Sequence, residues 1–324
     1  MSIEAELLGL EGVKRLTRDL AKASVTLSDM EARFLVSAYY TAQENRIGTN
    51  NQVRAASKAE EPHAVLSWFA DQHEVIENQV KRALDKYTEG HPMGAWMREI
   101  YGIGPVISAG LLAYIDITQC PTVGHIERFA GIDPTVKWQS TDKCKIWLLE
   151  NGLDIEKACL YYGRRVSTIK RFATQDADGN QVEVTADRLA KALSRRPWNT
   201  TLKTLVWKAS DSFRKFSGQE QCYYGQIYKQ RKALIIQQNL DGKFKEYALE
   251  RKNTVGRTTE AYKHYSVGML PPGQIDARAA RHAVKIFLSH LHAKWWEQAT
   301  GQKAAEPYAI AILGHAHKIE PPHQ

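Results

Sequence analysis

Cysteine is scarce in this 324-residue chain: Cys120, Cys144, Cys159 and Cys222 lie far apart, with no Cys-x-x-Cys pair. Such spacing gives no disulfide framework and fits free thiols in a reducing compartment. Long apolar runs are missing too. Nowhere do about 18 apolar residues follow one another, and the start, MSIEAELLGLEGVKRL, is amphipathic and acidic, so neither a membrane span nor a signal peptide is expected and a cytoplasmic location follows. The chain lacks His-Glu-x-x-His, a Walker loop, Gly-x-Ser-x-Gly, and His-x-Glu with Pro-Cys-x-x-Cys. A RuvC-type nuclease needs carboxylates from strands and a helix around divalent cations, and the acidic N-terminal part has no strand to carry them. No catalytic residue, metal or cofactor is expected.

What is present is a folded composition, 43% apolar, with a net charge of +8 that is unevenly spread. Residues 1–136 hold 13 basic and 18 acidic side chains, net −5; residues 137–232 hold 19 and 10, net +9; residues 233–324 hold 12 and 8, net +4. Solvated basic helix faces would give such a bias, and so would a groove for a polyanion.

Periodicity predicts an all-α protein. Leu10, Val13, Leu16, Leu20 and Ala23 recur at helical spacing, Thr26-Leu27-Ser28-Asp29 offers an N-cap, and Phe34, Leu35, Ala38 and Tyr39 continue an apolar face. After Pro62 the spacing of Leu66, Phe69, His73, Ile76, Val80, Ala83 and Tyr87 predicts a coiled-coil seam, closing on the earlier helix or on a second copy as a homodimer. His73 reads as a core or register-setting histidine. Gly90-His91-Pro92 ends this arm, which spans residues 1–92.

Residues 93–138 read as a helix-hairpin-helix core. An apolar helix ends at Gly102, where a left-handed conformation costs glycine little, and Pro105 suits the first turn of the next helix. Ser108, Ala109, Gly110 and Ala113 are small enough for close helix packing. The amides of Gly102, Ile103 and Gly104 at that helix start would attract a phosphate, although an ordinary tight turn uses the same residues.

Residues 139–196 read as a basic insertion: Ile155 to Phe172 looks helical, DADGNQVEVT gives a turn and a short extended piece, and ADRLAKALSRR is a helix stopped by Pro197. Arg164, Arg165, Lys170, Arg171, Arg195 and Arg196 form its strongest basic run, with Lys137 just before it. Residues 197–324 form the C-terminal part. Its first helix has Leu202, Leu205, Val206, Ala209 and Phe213 on one side, and Asn199, Lys203, Lys208, Arg214 and Lys215 as candidate phosphate contacts. Trp138 and Trp198 are candidates for base stacking; Tyr223, Tyr224 and Tyr228 fit stacking or core. A final helix carries Arg278, Arg281 and Lys285 in a phosphate-facing stripe. The His-x-His pairs His290/His292 and His315/His317 read as packing or phosphate contact, because helical residues two apart point away from each other.

The stretch GIGPVISAGLLAYIDITQCPTVGHIERFAGIDP resembles the C-terminal domain of RNA-guided insertion-sequence transposases of the DEDD type. The resemblance rests on the Gly-x-Gly hairpin, the apolar helix, and the block Phe129, Ala130, Gly131, Ile132, Asp133 and Pro134; Arg196 to Lys215 resembles that domain's basic helix, with Trp198 in place of glycine. The family's N-terminal nuclease-like domain is replaced by helix, and its catalytic serine has only Ser140 as a counterpart. A helical arm feeding a hairpin-bearing domain is also the layout of the Nop domain, and the chain is similar to the tandem-interspaced-guide-RNA-associated Tas proteins of the subtype without a nuclease. This resemblance implies a Nop-like domain and a non-catalytic protein, of mobile elements or phage, that binds guide RNA and presents it to target DNA. Two rivals stay open: a transposase or recombinase acting through Ser140, Tyr161, Tyr162 or Tyr265, and a plain duplex DNA-binding protein.

Overall fold

The computed structural model describes residues 12–58, 64–307 and 319–322. Among them are fifteen α-helices, two short 3-10 turns and no strand, so the fold is all-α. The chain divides into two compact units, Met1–Asp116 with Lys208–Val284, and Ile117–Trp207 with Lys285–Gln324. The boundary after Asp116 falls inside the segment expected to form one hairpin core.

In the first unit, α1 (Arg18–Ala23) is short, because the helix starts only at Thr17, whose Oγ1 accepts the Leu20 amide. Residues 12–17 are not helical despite their spacing. The amides of Val13 and Leu16 donate to the side chains of Gln72 and Gln79, which replaces the bonds a helix would give. Leu10 lies outside the described residues. α2 (Asp29–Lys58) opens with a capping box: Glu31 accepts from the Ser28 amide and hydroxyl, and Ser28 Oγ accepts from the Glu31 amide.

α3 (Ala64–Gly90) packs antiparallel on α2, with Tyr87 bonded to Asp29 at one end and Glu77 to Gln43 and Arg46 further along. The seam therefore closes within the chain. Its buried register is Ala70, Glu77 and Leu84, seven apart, joined by Ala83 and Tyr87, while Phe69 is 47% exposed. On α2 the buried positions are Ala32, Val36 and Ala42, and Phe34 points outward, 72% exposed. The apolar spacing in sequence thus selects the helices and, in Ala83 and Tyr87, part of the covered stripe, but not Glu77, which is buried with the half-buried Arg46 as its ion-pair partner at 2.6 Å.

α4 (Gly94–Glu99) and α5 (Pro105–Tyr114) form the hairpin, and α5 packs on α2, α3 and α4. All its small residues, Ser108, Ala109, Gly110 and Ala113, are buried there. In the same unit α12 (Tyr223–Leu240), α13 (Lys245–Lys252) and α14 (Glu260–Ser266) follow. The Asn239 amide group brackets Leu270, donating to its carbonyl and accepting from its amide.

The second unit holds α6 (Val123–Phe129) and a four-helix subdomain of α7 (Thr141–Asn151), α8 (Ile155–Tyr162), α9 (Val166–Thr174) and α10 (Ala186–Ser194). These four helices share a core of Cys144, Leu148, Cys159, Tyr162, Ile169, Leu189 and Leu193. The expected continuous helix from Ile155 to Phe172 is two helices. Gly163 breaks it in the left-handed region, φ +63°, where a Cβ would stand 2.5 Å from the Thr135 carbonyl oxygen. The DADGNQVEVT turn holds a single antiparallel bridge, Gln175 to Gln181. Two helices contribute residues to both units: α11 (Thr200–Lys215), whose Leu202, Leu205, Val206, Ala209 and Phe213 are all buried, and α15 (Pro272–Thr300).

Candidate nucleic-acid interface

The second unit places cations on aromatic rings along one run of structure. After α6, the Phe129–Pro134 block ends the helix in a Schellman arrangement: Ile132 N donates to Glu127 O, Gly131 N to Arg128 O, and Gly131 takes φ +66°. Gly131 faces Trp198, and the Asn199 amide donates to the Phe129 carbonyl at 2.9 Å. Asn199 Oδ1 in turn accepts from Leu202 N, so Asn199 serves as the N-cap of α11.

Trp138 and Trp198 stand 6.4 Å apart with planes inclined by 62°. The Trp138 indole N–H donates to the Ser194 carbonyl at 2.8 Å. The Arg196 guanidinium lies 5.5 Å over Trp138 and Lys203 Nζ 3.9 Å over Trp198. Lys137 Nζ is 3.9 Å over Tyr161, while Arg195 at 4.0 Å and Arg171 at 4.9 Å share Phe172. Arg165, Lys170, Arg171, Arg195, Arg196 and Lys137 are exposed, and so are Trp138 and Tyr161. Cations held on rings are attracted to the ring face yet keep hydrogen-bonding capacity toward an incoming anion.

Arg164 is used differently. Its guanidinium donates to the carbonyls of Leu193 and Arg195 at 2.9 and 2.8 Å, closing the C-terminal end of α10, and burial lowers its pKa from the ordinary arginine value. The same unit holds Lys285 in an ion pair with Glu127 at 2.6 Å. His292 Nε2 donates to the Cys120 carbonyl and His290 Nε2 to that of Ile319, so both are packing residues; His315 and His317 lie outside the described residues.

In the first unit the hairpin turn is largely committed. Gly102 takes φ +94°, its carbonyl accepts from the Ser212 hydroxyl, and the Ile103 amide donates to the Ile100 carbonyl at 3.0 Å. Ile103 and Ser108 are buried, and only Gly104 is exposed. Arg214 and Lys215 pair with Asp211, and Arg214 also faces Asp276 at 3.8 Å. Arg278 lies over Phe244 and Tyr247, Lys208 Nζ over Tyr40 at 4.1 Å, and Arg281 is exposed.

Of the hydroxyls weighed as nucleophiles, Ser140 is the exposed N-cap of α7 and Tyr161 stacks on Trp147 at 4.7 Å. Tyr162 donates to Gln139 and Tyr265 to Gln274, both buried. Among the described residues no group of three His, Cys, Asp or Glu side chains is placed to hold a metal ion, and no helix is long and apolar enough to cross a membrane. All four cysteines are buried thiols outside any disulfide. Comparison with known proteins returns nothing similar: no family model, no curated protein and no solved structure matches the chain.

Sequence reasoning missed the ring partners Tyr161 and Phe172 as parts of a basic surface. Their only signal was aromatic residues near basic ones in a segment of net positive charge.

Proposed function

We propose that this protein is a non-catalytic, cytoplasmic RNA-binding protein that holds a guide RNA and presents it for recognition of target DNA. The observation that supports RNA binding is the run of five cations, Lys137, Arg171, Arg195, Arg196 and Lys203, on four rings of the second unit. Cations track phosphates, and aromatic faces accept unpaired bases whatever their sequence. The guide role is supported by the resemblance of residues 102–134 and 196–215 to RNA-guided transposases and Tas proteins. A homodimer through the Leu66–Tyr87 helix is proposed from the outward-facing Phe69, and sedimentation of Phe69→Glu against the unaltered protein tests it.

The deciding experiment is to purify the protein from cells that carry its native locus, trim with nuclease and sequence the retained nucleic acid. A discrete short RNA with constant and variable parts is the expected result. Bulk RNA or none, together with tight binding to duplex DNA, favours the duplex-binding alternative, and a covalent protein–DNA adduct lost in Ser140→Ala favours the transposase.

A further inference from the structure

Trp138 and Trp198 are two separately fixed surfaces. The first is anchored through its N–H to Ser194, the second by its seat against Gly131 and by the Asn199–Phe129 backbone bond beside it. Anchored rings lose little freedom on binding, so they are preorganised as contact surfaces. Their planes nevertheless diverge by 62°. Bases in a paired helix lie parallel to one another, so neighbouring bases of a duplex cannot lie flat on both indoles. Only nucleotides whose stack has been opened can, with one base turned onto each ring. The cations on these rings, Arg196 and Lys203, lie over faces that such bases would use, and move off them to the phosphates of the opened strand as the bases stack.

From this geometry we infer that the Trp138–Trp198 pair is a receptor for two splayed, unpaired nucleotides, as occur at a bulge or loop of a folded RNA, and not for a continuous duplex. The inference rests on the RNA-binding reading above and narrows it to a class of RNA feature.

Two RNA hairpins of matched sequence test it, one fully paired and one carrying a two-nucleotide bulge with 2-aminopurine. The bulged hairpin is expected to bind about tenfold more tightly or better, with quenching of 2-aminopurine as it stacks on indole. Trp138→Ala should abolish the preference and the quenching, whereas Trp138→Phe should keep most of both. Trp138 is 41% exposed, so its replacement leaves the core intact, and thermal melting checks this. Trp198→Phe serves as the second variant, because it keeps a ring against Gly131. Equal affinity of the unaltered protein for both hairpins overturns the inference and leaves RNA binding standing. So does an equal loss on both hairpins in Trp138→Ala. Failure to bind either hairpin overturns both readings.

Discussion

Gly131 and Trp198 touch so closely that a Cβ on the glycine would stand 2.6 Å from the indole Cγ. The glycine also holds φ +66°, which a side chain disfavours. Both costs fall on the same substitution, so Gly131→Ala should destabilise the protein by about 2 kcal/mol or more, from backbone strain of roughly 1 kcal/mol plus overpacking. Chemical denaturation measures it. Because Trp198 must shift to make room, indole fluorescence of the folded state should change as well.

The two hairpin glycines should behave oppositely. Gly102 holds φ +94° with the Ser212 hydroxyl 3.2 Å from where a Cβ would be, and Gly102→Ala should cost about 1–2 kcal/mol. Gly104 has φ −87° and nothing within 4 Å, so Gly104→Val should leave the melting temperature nearly unchanged. With folding preserved, any loss of nucleic-acid affinity in Gly104→Val reads the phosphate contact of the turn directly. Unchanged affinity removes the turn from the interface.

The helix content was legible from local spacing: Gly90, Pro105, Pro272 and Gly301 punctuate the chain where the helices begin or end. The apolar side of α11 is buried residue for residue. What spacing could not supply was the partner of each residue. The Val13–Leu16 pattern fits a helix, but the segment is not helical, and Gln72 and Gln79 hold the amides of Val13 and Leu16. Arg164 and Arg165 are indistinguishable as sequence, and only the fold decides that the first caps α10 while the second stays exposed. Equally, a tryptophan near an arginine says nothing about whether the cation will sit on the ring.

Acid should loosen both units through two histidines, His292 buried and His91 half-buried. Burial lowers the pKa of His91 in the first unit and of His292 in the second; the carbonyl of Cys120 opposes this in part for His292. Each imidazole is held neutral in the folded protein and takes up a proton more readily once unfolded. The stability this contributes is therefore present above the ordinary histidine value of 6.5 and is lost as pH falls from there through the folded-state values. Denaturation midpoints should drop between about pH 7 and pH 5, and His292→Gln, which can still donate to Cys120, should flatten part of that dependence. A midpoint independent of pH in that range contradicts it.

Arg164 and Arg165 separate fold from binding most sharply. Removing the Arg164 guanidinium leaves the partly buried carbonyl of Leu193 without its donor, at about 1–3 kcal/mol, and leaves the exposed carbonyl of Arg195 to water. Arg164→Ala should accordingly lower the unfolding midpoint, and its effect on RNA should follow from the loosened α10. Arg165 is exposed, so Arg165→Ala should leave the midpoint alone. If it touches a phosphate, the slope of log affinity against log salt should become shallower by about one charge, with sequence preference unchanged. Arg196→Ala should add a second effect, because Arg196 also lies over Trp138: a shallower slope together with altered quenching of a stacked base. Titrations at several salt concentrations for the three variants distinguish these outcomes. Should Arg165→Ala and Arg196→Ala both keep the slope of the unaltered protein, these two arginines are removed from the phosphate contacts of the second unit, whatever its rings bind.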